Sequence, residues 1–145
     1  MRRTRDARFV WRLAVAAGIG VLIVDLLYLQ LVLFGHGTPA PSPTRLAFIA
    51  TWIALCGGVA VIGGVAESGA PRAVLLGIST AGLLVMGVVG AFSVGIPLLL
   101  AAMVVGGAAS VAAEVAGISA TRRTLGLFLL GLAVAGLMAA GLALT

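Results

Sequence analysis

Four carboxylates, one histidine and one cysteine make up the acid–base and ligand chemistry of this 145-residue chain. Asp25 stands near the middle of a long apolar run, Phe9 to Phe34, and Tyr28 follows it one helical turn later. An acid at the centre of a lipid-facing helix costs about 2.5–3.5 kcal/mol. Asp25 is therefore expected to face protein, on a stripe with Gly18, Val21 and Tyr28. Two chemistries suit it there. One is a proton or cation site; the other is a hydrogen bond to a neighbouring helix or to an arginine of a partner subunit.

Glu114 is the second acid within an apolar run. It follows Ala102, Gly106 and Ser110 at a spacing of four, which places it on the small-residue face of its helix, pointing into the bundle. Its depth separates it from Asp25 by some 15 Å along the membrane normal, too far for two carboxylates to share a proton. Glu114 is thus expected to be a structural acid, paired with Arg122 or Arg123 at the inner surface. His36 has no ligating neighbours in sequence, so no metal site is expected. Cys56 is alone inside an apolar run, which excludes an intramolecular disulfide or a thiolate cluster. The pairs Gly57-Gly58, Gly63-Gly64 and Gly106-Gly107 precede no lysine and read as packing glycines, not phosphate loops. Without a nucleophile–base pair, no catalytic residue and no cofactor are expected, and the chain reads as non-enzymatic.

The elements that carry these residues follow from composition. Hydrophobic residues are 62%, charged residues 9%, and mean hydropathy is +1.27, against about a quarter charged in soluble domains. The fold class is all-α, a polytopic transmembrane helix bundle. A span needs about 20 apolar residues to cross ~30 Å of hydrocarbon. The run from Ala73 to Gly117 would reach roughly 68 Å as one helix, so it must break, and Ser93-Val94-Gly95-Ile96-Pro97 is where a turn-former, a glycine and a helix-opening proline coincide. Five spans result, at about 9–34, 44–66, 72–92, 97–117 and 123–144. Residues 1–8 form a basic cytoplasmic N-terminus, and 9–145 a single transmembrane domain. Ser42-Pro43 reads as N-cap and first-turn proline of the second span, after a stiff Pro-rich loop at 38–43. Ala50, Ala54 and Gly58 share one face of that span, with Ala60 and Gly64 a second approach site. Gly131, Ala135, Ala139 and Ala143 form a comparable row on the fifth. Such rows are how helices meet in lipid.

Charge sets the orientation. With five spans and a cytoplasmic N-terminus, Arg2, Arg3, Arg5, Arg8, Arg12, Arg72, Arg122 and Arg123 lie inside and Arg45 alone outside, which satisfies the positive-inside rule. The C-terminus is then outside. These arginines are expected to meet anionic lipid headgroups, at about 1 kcal/mol each, while the scarcity of aromatic residues argues against nucleic acid. The apolar part of the first span exceeds a signal-peptide core and reads as an uncleaved anchor in the inner (cytoplasmic) membrane.

An acid in the first of several short helices superficially resembles the small multidrug-resistance exporters. Those have four spans, a glutamate and more aromatics, so no residue role is carried over. The expectation is an accessory or interaction subunit that meets a membrane-protein partner or a second copy of itself. The alternative is a small transporter or ion-conducting protein that uses Asp25.

Overall fold

The computed structural model describes residues 2–34, 42–67, 69–90 and 95–144, with the side chains of residues 2–9, 120, 123 and 124 outside that description. The described residues form five α-helices in the order α1 (Arg2–Phe34), α2 (Pro43–Val65), α3 (Ala70–Val89), α4 (Gly95–Val115) and α5 (Ala120–Leu144). All five are long and apolar enough to cross a membrane. This is a multi-pass integral membrane protein.

The helix ends follow the local chemistry. α1 is continuous through the arginine-rich head, where no glycine or proline interrupts good helix formers. Ser42 caps α2, its side chain accepting from the Arg45 N–H at 3.3 Å, with Pro43 in the first turn. α4 starts at Gly95, two residues before the proline expected to open it. There the Gly95 N–H donates to the Gly90 carbonyl at 2.7 Å, and an added Cβ would strike the backbone of Gly87 and Gly90. Only glycine fits so tight a hairpin. α4 ends in a Schellman pattern: Ile118 N–H donates to Ala113 and Gly117 N–H to Glu114, with Gly117 at φ 70°.

Four helices close a ring. α1 packs on α2, α2 on α3, α3 on α4, and α4 back on α1; α5 lies outside this ring against α3 and touches α2. The contacts set the directions. A Cβ at Gly18 would meet Val61, at Gly57 Leu22, and at Gly64 Val15, so α1 and α2 are antiparallel. Gly63 faces Leu76, and Gly87 faces Leu99, which extends the alternation to α3 and α4. Gly141 faces Phe48, so α5 ends where α2 begins. The fully buried side chains, among them Val21, Ile53, Leu76, Leu83, Leu98, Val105 and Met138, fill the inside. Large apolar residues such as Leu31, Ile62, Val88, Met103 and Leu137 are exposed, as lipid-facing side chains are.

Small-residue rows pack selectively. Ala60 is buried and Gly64 meets Val15, whereas Gly58 and Gly131 have nothing within 4 Å of an added Cβ. The reason is geometric. A spacing of four advances 400° around a helix of 3.6 residues per turn, so a long row drifts about 40° per step off any one face.

Candidate functional site

Asp25 lies in the α1 wall of the ring, 6% exposed. Gly18 and Val21 on its stripe are buried and Tyr28 is half-buried. The α1–α2 contacts pair positions whose numbers sum to about 79, which sets Asp25 level with Ala54. Its Oδ1 is buried with no hydrogen-bond partner in the structure. A buried acceptor left unmade costs about 1–3 kcal/mol, so this acid is held against its own solvation preference. Trp52 Nε1 on α2 is likewise buried and unpartnered; its ring is tilted 43° against Phe48, centroids 5.8 Å apart. Hydrogen bonding is complete nearby, where Ser79 Oγ donates to the Cys56 carbonyl at 2.8 Å and Thr80 Oγ1 to the Leu76 carbonyl at 2.7 Å. Cys56 is a free, partly buried thiol lodged against Gly82.

Glu114 departs from its expected place. It is exposed, while Ala102 is buried and Gly106 and Ser110 are half-buried. Three steps of four residues carry it about 120° around α4, off the face its row begins on. By the helix registers it lies roughly twelve residues, about 18 Å, from the level of Asp25. The two acids do not form one site.

Arg72 also departs from the headgroup role given to it. It is 8% exposed, its guanidinium carbon 4.2 Å from the centroid of the Trp11 ring. One terminal nitrogen donates to the Ala66 carbonyl at the end of α2, where the helix dipole favours a cation. One side chain thus ties α3 to α1 and to the last turn of α2. Trp11 and Arg72 lie on different helices 61 residues apart, so their stacking was not legible in the sequence.

Arg12 and Arg122 are exposed, as is Arg45 at the other end of the bundle. The contacts of Trp11 with Arg72, and of Ala73 and Arg122 around one cavity, gather Arg12, Arg72 and Arg122 at a single end. The side chains of Arg2, Arg3, Arg5, Arg8 and Arg123 lie outside the described residues, as do His36 and the loop at 35–41. Among the described residues, no three His, Cys, Asp or Glu side chains converge as a metal site.

The cavity at the arginine end is bounded by α3, α4 and α5 and holds about 340 Å³. Its walls are apolar except for Ser110 and Arg122. It exists because α5 leans on α3 and α2 without packing along α4. Comparison with known proteins finds no family model, no characterised protein and no solved structure that matches this chain.

Proposed function

We propose that this protein is a non-enzymatic accessory subunit of an inner-membrane assembly, with its N-terminus cytoplasmic, and that it joins a membrane-protein partner through α5. One observation carries this reading. Opposite its buried residues Val134 and Met138, α5 exposes Leu129, Ala133, Gly136, Ala140 and Ala143, spaced alternately by four and three. That is the period of a helix–helix seam, written in small residues that let a second backbone approach closely. A Cβ at Gly136 meets nothing within 4 Å, so among the described residues the seam is unmatched at its centre. A photo-crosslinker at residue 136, tested in native membranes, should give one discrete protein adduct. The same group at Met103, exposed on α4, should give none. Absence of a discrete adduct at 136, or equal adducts at both, overturns the reading.

A second reading, a small ion- or proton-conducting protein, is favoured by the buried Asp25 with its unpartnered oxygen. In proteoliposomes it requires a cation or proton flux that Asp25→Asn abolishes while the chain still inserts. A wild-type protein with no flux, or an Asp25→Asn variant with full flux, removes it.

A further inference from the structure

We propose that the cleft between α3, α4 and α5 is a binding site for one acyl chain of an anionic phospholipid, whose headgroup phosphate is taken by Arg122. The polarity of the cleft is that of such a lipid. Arg122 stands in the first turn of α5, and below it the walls are Ala73, Gly77, Ala109, Ala113 and Leu130. Small residues on α3 and α4 make the cleft deep, and the leucines of α5 close its far side. From Arg122 to Leu130 the cleft runs about 12 Å along α5, close to half of the ~30 Å hydrocarbon thickness. A tail seated there stays within one leaflet, with its phosphate at the depth of the guanidinium.

Charge favours the same occupant. Arg122 and Arg123 sit at the N-terminus of α5, where the helix dipole is already positive and no acid stands in the first turn. A cation at that end is the wrong sign for the dipole. An anion at the cleft mouth offsets the charge of Arg122, and it also meets N–H groups of the first turn that have no partner within the helix. The nearest acid on α4, Glu114, is one turn beyond Ser110 and does not line the cleft. Arg12 and Arg45 are exposed too; Arg12 also heads an apolar hollow, lined by Val15, Ala16, Ile19 and Gly64, but that hollow is a more open groove on the α1–α2 surface, bounded by two helices and not three.

The test uses the full chain in mixed micelles, titrated with phosphatidylglycerol or phosphatidylcholine and read by native mass spectrometry and thermal midpoint. Wild type should retain one phosphatidylglycerol per chain, at least tenfold more tightly than phosphatidylcholine. Arg122→Ala should lose that preference, whereas Arg12→Ala should keep it. Gly126→Leu places a side chain in the cleft from a position where a Cβ meets nothing within 4 Å, so it should block retention without a clash. Gly107→Leu, equally free of neighbours but outside the cleft, should bind as wild type. Equal affinity for the two lipids, or full phosphatidylglycerol retention in Gly126→Leu, overturns the proposal. So does a lipid-free dimer that Gly126→Leu converts to monomer, since a second copy would then fill the cleft.

Discussion

Replacing Asp25 by valine should make the protein more stable. Its Oδ1 is enclosed without a hydrogen-bond partner, and an unsatisfied buried acceptor costs about 1–3 kcal/mol. Valine branches at Cβ and fills somewhat more volume than aspartate, so a small overpacking cost offsets part of the gain. The full difference between an acid and an aliphatic residue at a bilayer centre is about 3–4 kcal/mol, but Asp25 faces protein and only part of that applies. The expected gain is about 1–3 kcal/mol, or roughly 5- to 150-fold in the unfolding constant. Equilibrium unfolding in mixed micelles of sodium dodecyl sulfate and a mild detergent, followed by helical circular dichroism, measures it. Asp25→Asn keeps a polar group at the site and should recover less than half as much. If Asp25→Val instead loses more than about 1 kcal/mol, the carboxylate is satisfied by a bond within the bundle, and the premise that it is held at a cost is refuted. A gain would place Asp25 among residues retained for function against stability.

Five further substitutions probe the frame. Gly18→Ala brings a Cβ within 2.9 Å of the Gly57 carbonyl oxygen and 3.0 Å of the Val61 nitrogen; both are backbone atoms, so α1 and α2 must part, and a loss of about 1–2 kcal/mol should survive the gain in helix propensity. Gly58→Ala meets nothing and should be neutral or stabilising by up to about 1 kcal/mol; equal shifts in the same unfolding assay would show that the close approach is not limiting. Arg72→Ala and Trp11→Leu should couple in a double-mutant cycle by about 1–2 kcal/mol, the range of a desolvated cation–π pair, and additivity would dissolve the tie. Ser79→Ala removes the bond to the Cys56 carbonyl and should cost about 0.6 kcal/mol, at most about 1.7, as interhelical bonds in membranes do.

How much of this was legible beforehand depended on which physical signal was involved. Length and hydropathy gave the five spans, because a 45-residue apolar run exceeds the hydrocarbon width and has to turn. Capping chemistry gave the start of α2 at Ser42-Pro43, since the side chain and ring act within three residues. Burial of Asp25 was legible from solvation alone. What failed was anything needing a helix's rotation over several turns. Glu114 follows Ala102 by three steps of four and has left their common face, and Gly58 is not where α2 is approached. Arg72 was assigned by charge counting, which registers the side of the membrane and not the neighbour; only the fold sets Trp11 beneath it. The cleft was invisible for the same reason, being a gap between α4 and α5 that neither helix records in its own sequence.

The division of the molecule into a closed ring and an appended helix has a functional consequence. Each of α1 to α4 has two ring neighbours, so the ring satisfies its own packing, and Asp25 is enclosed in it. Among its described residues, helix α5 buries only Val134 and Met138, half-buries Leu130, Gly131, Ala135, Gly141 and Leu142 on the same side, and leaves its outer side open. A helix needed only to stabilise the ring would be selected for large apolar residues that maximise dispersion contact with α3. Instead its outer side sets Ala133, Gly136, Ala140 and Ala143 among exposed leucines such as Leu125, Leu129 and Leu132, and such small residues gain little from lipid and a great deal from another backbone. Its inner side stops short of α4 at the level of Arg122, leaving room for a chain but placing a cation at the opening. Both departures from dense packing fall on one helix, and both have the composition of a surface meant to be covered. The two proposed contacts therefore share α5, while the ring holds Asp25, a buried acid that its own packing does not explain.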